Sequence, residues 1–126
     1  NTFPKMAGEW VPSGMLPLTP WWKNFVEHTF TIQFIHRMLG WILCMLISGF
    51  WRYCKGFELT PQQEKAIDWL LWAILIQFGL GVLTLIMVVP VWLGVLHQAG
   101  AVVLLMTAVY NRSLLNNVES SLVPNS

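Results

Sequence analysis

Residues 29–51 read TFTIQFIHRMLGWILCMLISGFW, an apolar run that carries a glutamine, a histidine and an arginine. An α-helix needs about 20 predominantly apolar residues to cross about 30 Å of hydrocarbon, and this run is long enough. Ionisable groups at such depth are costly, so they usually face a bundle interior and mark a functional site. The reading of Gln33-Phe34-Ile35-His36-Arg37 therefore turns on what His36 faces.

Two more runs share this length and character, Ile67–Val89 and Val91–Tyr110. A buried helix in a water-soluble protein is seldom so long or so apolar all round. The chain is 56% hydrophobic and only 10% charged, less than half the charge of an ordinary soluble domain. The expected fold class is an all-α integral membrane protein with three transmembrane helices. A net charge of +1 gives no electrostatic case for a nucleic-acid partner. Cys44 lies mid-span and Cys54 just past its end, with no partner at metal-site spacing and no sign of a disulfide framework. The chain opens on Asn1 with no signal peptide before it, as if it were part of something longer.

Residues 1–27 are expected to form an extracytoplasmic loop. Pro4, Pro12, Pro17 and Pro20 forbid a long helix there. Phe3, Trp10, Trp21, Trp22 and Phe25 suit a loop lying on the membrane surface, either as an anchor or as a lid. Transmembrane helices are expected at 28–53, 66–89 and 91–110. The second should begin as a helix at Pro61, because Thr60-Pro61-Gln62-Gln63 supplies an N-cap, a proline at the first helical position and a capping-box glutamine. Pro90 marks a tight reversal, and 111–126 reads as a polar, frayed cytoplasmic tail. Arg52, Lys55, Lys65 and Arg112 lie at one end of the spans, Lys5 and Lys23 at the other. That excess puts the Cys54–Lys65 link and the tail in the cytoplasm and the Trp-rich loop outside. In the cytoplasm the sequon Asn111-Arg112-Ser113 would have no meaning.

This topology sends the first and third helices across the membrane in the same sense. His36 and His97 then both lie roughly 9–11 Å below the outer boundary, at 1.5 Å per residue. Two neutral imidazoles at equal depth can grip one metal, and haem is the apolar cofactor suited to a membrane bundle. The competing reading is a pair of hydrogen-bonded core histidines that glue helices. Gly94, Ala101 and Ala108 share the face of His97, with Gly100 close by. Such a row leaves room for a flat macrocycle, or simply lets helices pack closely. Gln33 and Gly40 lie on the His36 face, and Gln33 or Gln98, or a backbone carbonyl, is a candidate to fix a ligand imidazole. Arg37 points about 100° away from His36. It can pair with a haem propionate or snorkel to the outer surface. His28, at the start of the span, reads as an interfacial residue. Gln77, Gly81 and Thr84 form one polar stripe on the second helix and read as an inward-facing wall.

Four stretches in order, Asn1-Thr2-Phe3-Pro4-Lys5-Met6, Gly8-Glu9-Trp10-Val11-Pro12, Gln33-Phe34-Ile35-His36-Arg37 and His97-Gln98-Ala99-Gly100, resemble the second, C-terminal half of haem A synthase of the mitochondrial and proteobacterial type. The resemblance runs from Asn1 to Asn111. It implies an oxidoreductase of two similar four-helix halves that oxidises the C8 methyl of haem O to the formyl group of haem A, for terminal oxidase assembly. In that family the catalytic first half carries a glutamate three residues before its His-Arg pair. Here that position is Gln33, so the resemblance implies the half whose histidines, His36 and His97, hold the iron of a haem b, with Gln33 and Arg37 in the same site. It also implies that the chain is three helices of a four-helix haem-binding bundle and is inactive alone. The implied partners are the missing N-terminal half, haem O, haem O synthase, an electron donor and the lipid bilayer, with room for a homo-oligomer. The implied location is a bacterial cytoplasmic membrane or the mitochondrial inner membrane. The loop lacks the cysteine pair of some bacterial members. A non-enzymatic cytochrome b-like electron-transfer or anchor subunit would need the same ligands. A purely structural membrane segment would bind no haem.

Overall fold

The computed structural model describes residues 3–122, with side chains described as far as Leu115. Three long helices dominate it: α1 Thr29–Cys54, α2 Pro61–Ile86 and α3 Val91–Leu122. A short 3-10 turn, Trp21–Phe25, precedes them. The described residues contain no strand, only one bridge between Met6 and Glu9. All three helices are long and apolar enough to cross a membrane. Most of their surface faces outward, with Leu39, Ile42, Leu46, Trp72, Ile76, Val102 and Leu105 exposed. A contiguous apolar surface of that extent needs hydrocarbon around it.

The start of α2 follows the sequence closely. Gln63 N–H donates to Thr60 Oγ1 at 3.3 Å while Thr60 N–H donates to Gln63 Oε1 at 3.0 Å, and Pro61 opens the helix. Such a cap is worth about 1 kcal/mol. The link is then tied to both helices. Lys55 Nζ donates to Glu64 at 2.8 Å and pairs with Asp68 at 3.1 Å, and Trp51 Nε1–H donates to Asp68 Oδ1 at 2.7 Å. The hydrogen bonds from Lys55 to Glu64 and Asp68 raise its pKa above the ordinary lysine value. Its charge is therefore kept throughout the neutral range.

Two helix ends differ from the sequence expectation. The second helix stops at Ile86 rather than Val89, because Val88 and Val89 turn left-handed with φ of 62° and 56°. Pro90 disfavours right-handed helix at the residue before it. Val89 N–H still caps the helix by donating to Thr84 O at 2.8 Å. The third helix runs on to Leu122, so residues 111–122 are helix and not a frayed tail. Asn111 is buried and its Nδ2 donates to Ala66 O on α2 at 2.9 Å and to Thr107 O at 2.8 Å. Residues 123–126 of the expected tail, and Asn1 and Thr2 of the first motif, lie outside the described residues.

The helix α2 stands between its neighbours. It packs on α3 through Leu70, Ile74 and Leu104, and Cys44 and Ile47 of α1 close the cluster. Among the described residues no Cα of α1 comes within 8 Å of a Cα of α3. A space is thus left between α1 and α3, floored by α2.

Candidate functional site

The space between α1 and α3 is a cavity of about 460 Å³. His36 and His97 reach into it from opposite sides, with ring centroids 6.0 Å apart and planes at 85°. Gln33 and Arg37 line the same cavity, so the four residues singled out from sequence share one wall system. Arg37 is the charged side chain among those lining it; the rest are apolar, amide, hydroxyl or imidazole. His28 is not among the lining residues. Its Nδ1 sits 2.8 Å from Thr31 Oγ1, and Thr31 donates in turn to the carbonyl of Met15. It belongs to the anchorage of the loop.

The floor of the cavity comes from the stripe on α2. Gln77 and Thr84 are buried, and Gly81 lies directly under the His97 ring. Gln77 Nε2 donates to the backbone carbonyl of His97 at 2.8 Å. Three buried polar atoms around the cavity have no partner within the chain: Arg37 Nε, Gln77 Oε1 and His97 Nδ1. Buried polar atoms are normally satisfied; of these three, Gln77 Oε1 is packed against Gly100 and the His97 ring against Gly81. Gln98 is exposed on the far side of α3 and holds neither histidine.

The small residues of α3 divide between the two roles open to them. Ala101 lines the cavity, whereas Ala108 packs on the Leu70–Ile74–Leu104 cluster. Gly100 is a close-packing residue, because a Cβ there would collide with Gln77 Oε1. On α1, Gly40 lines the cavity beside Phe78, which meets Trp41 edge-on at 4.7 Å.

The outer end is roofed by the loop. Phe3 stacks on Trp41 at 6.3 Å and 9°, and Phe3 itself lines the cavity. Arg37 Nη1 donates to Lys5 O at 3.2 Å, which ties the loop to α1 beside the cavity. Met6 and Glu9 exchange backbone hydrogen bonds at 2.9 and 3.1 Å, and Asn24 is buried with its amide bonded to Leu18 and Trp21. Trp10, Trp21, Trp22 and Phe25 are exposed, as an interfacial surface requires. The Phe3–Trp41 stack joins distant parts of the chain, and no local sequence signal announces it. The Gln77–Gly81–Thr84 stripe was visible as a wall, but not its bond to the His97 carbonyl.

The arrangement offers two imidazoles across an apolar gap. A nitrogen–metal bond of about 2 Å on each side puts the ring centroids of two ligating imidazoles about 6 Å apart. No third His, Cys, Asp or Glu completes a metal-binding group among the described residues. A bare structural ion wants about four protein donors. Two suffice for a metal that brings its own equatorial ligands.

Residues 1–109 match the family model described as cytochrome oxidase assembly protein. The heme A synthase of Nitrosomonas eutropha is 42% identical over 110 residues, covering 87% of this chain and 31% of the relative. That of Parvibaculum lavamentivorans is 38% identical over 111 residues, covering 88% and 31%. In Arabidopsis thaliana a heme A synthase is 38% identical over 105 residues, covering 83% and 23%. The chain thus spans about a third or less of the length of these curated relatives. No solved structure matches it significantly.

Proposed function

This chain belongs to the cytochrome oxidase assembly protein family, and from that membership we propose that it is the C-terminal, haem-binding half of a haem A synthase. The observation that supports this reading is the facing pair His36 and His97, 6.0 Å apart on two helices whose Cα atoms nowhere come within 8 Å of each other. The residues suit a haem: two imidazoles that would hold its iron, an apolar cavity around them and one cation, Arg37, near its outer end. A haem b held there supplies a one-electron iron couple buried in low dielectric.

The chain's own residues have separable roles. His36 and His97 would hold the haem iron through their imidazole nitrogens. Arg37, whose Nε has no partner within the chain, would pair with a propionate by a charge-assisted hydrogen bond. Phe3 and Trp41 exclude water from the outer side. Gln33 presents an amide, which can donate and accept hydrogen bonds but cannot act as a base at neutral pH. Oxidation of the C8 methyl of haem O to a formyl group is therefore assigned to the rest of the enzyme. This half serves electron transfer or structure, and the chain by itself is inactive.

The test is the reduced absorption spectrum of the protein purified from its full reading frame. A sharp α-band of six-coordinate haem, together with a second His-Arg pair preceded by glutamate in that frame, supports the enzyme. A frame with no second pair favours a non-enzymatic cytochrome, and a purified protein without haem overturns both.

A further inference from the structure

The helix α2 brings no His, Cys, Asp or Glu to the cavity, yet it touches His97 at two places. Gln77 holds the backbone of the His97 turn by its hydrogen bond to the carbonyl. Four residues on, Gly81 receives the ring itself: a Cβ at Gly81 would stand 2.9 Å from His97 Cε1, a distance real Cβ contacts do not reach. Gly100, one turn along α3, makes room for the Gln77 amide, whose Oε1 fills the space a side chain would take. These contacts interlock in sequence register, since Gln77 and Gly81 lie one helical turn apart on the same face.

We propose that Gln77 and Gly81 are positioning residues for His97, with Gly100 the clearance that lets the Gln77 amide in. Gln77 fixes where the His97 backbone sits along α2, and Gly81 fixes how far its ring leans toward α2 and therefore how it meets His36. This rests on the reading of His36 and His97 as a ligand pair. No comparable seat for His36 lies among the described contacts, so the two ligands differ: His97 is held from behind, and His36 is the more exposed of the two.

The test uses the full-length, haem-loaded protein with Gln77→Met, Gly81→Ala, Gly79→Ala and His97→Ala made singly. Gly79 shares α2, and a Cβ there would meet nothing within 4 Å. The readouts are haem affinity, the low-spin EPR signal and the midpoint potential. Partners that orient a metal ligand typically matter about 10–100-fold in affinity when removed. A loss in that range, with a shifted low-spin signal, is expected for Gln77→Met and Gly81→Ala, while Gly79→Ala stays as wild type. Alanine is a better helix former than glycine, so a loss at Gly81 cannot be blamed on the backbone. Wild-type affinity, signal and potential in both Gln77→Met and Gly81→Ala would overturn the proposal, as would an equal change in Gly79→Ala. His97→Ala separates this from the reading beneath it: if that variant is also silent, the ligand pair itself fails.

Discussion

His36 and His97 stand with ring centroids 6.0 Å apart and planes at 85° although α1 and α3 make no backbone contact. The two helices are instead each packed on α2, and the histidines face each other across the cavity between them. If His36 and His97 together hold one iron, the oxidised protein would give a low-spin EPR signal.

Substitution of His97 by methionine tests the chemistry of the ligand. A thioether raises the potential of a haem relative to imidazole. His97→Met should keep a fraction of low-spin haem at higher midpoint potential, read by redox titration. An unchanged potential with full haem content would show that His97 is not an axial ligand.

Gln33→Glu puts a carboxylate into the cavity wall. Negative charge near iron favours the ferric state, so the midpoint potential should fall while haem stays bound. Conversion of haem O should change only modestly if, as proposed, the chemistry belongs to the other half. Complete loss of haem A formation with normal haem content would instead place the reaction here.

Topology is tested at the α1–α2 link. Glu58 is exposed, whereas a Cβ at Gly56 would crowd Tyr53 O at 3.2 Å, so Glu58→Cys is the better probe. With the positive residues inside, this thiol should resist an impermeant reagent in intact cells and react after permeabilisation. Ready labelling of intact cells would invert the topology.

Asn111 should matter as a tether between α2 and α3 and not as a glycan acceptor. Its side chain is 4% exposed and bonded to Ala66 O. Hydrogen bonds between membrane helices are worth about 0.6 kcal/mol on average and up to about 1.7. Asn111→Ala should lower the thermal midpoint of the solubilised protein, while Ser113→Ala, which also removes the sequon, should not. Equal effects of the two would argue against the tether.

Much of this architecture was legible in the sequence, and the parts that were not share a cause. Run lengths gave three spans, and Thr60-Pro61-Gln62-Gln63 gave the start of α2, because these signals are local. Counting residues from the membrane boundary put His36 and His97 at one depth. The end of α2 was not legible, since nothing in a valine announces a positive φ at Val88 and Val89. Asn111 read as the start of a polar tail because its partner, Ala66, lies on another helix. The same holds for Gln77 against Gly100 and for Phe3 against Trp41. Each is a contact between distant segments, and only packing reveals it.

The most direct measurement of the central claim is the EPR spectrum of the oxidised full-length protein beside its His36→Ala and His97→Ala variants. The wild type should show a low-spin component. Each alanine variant should lose that component, through conversion to high spin or loss of the haem. If both variants keep every low-spin component and the full haem content of the wild type, His36 and His97 do not share an iron.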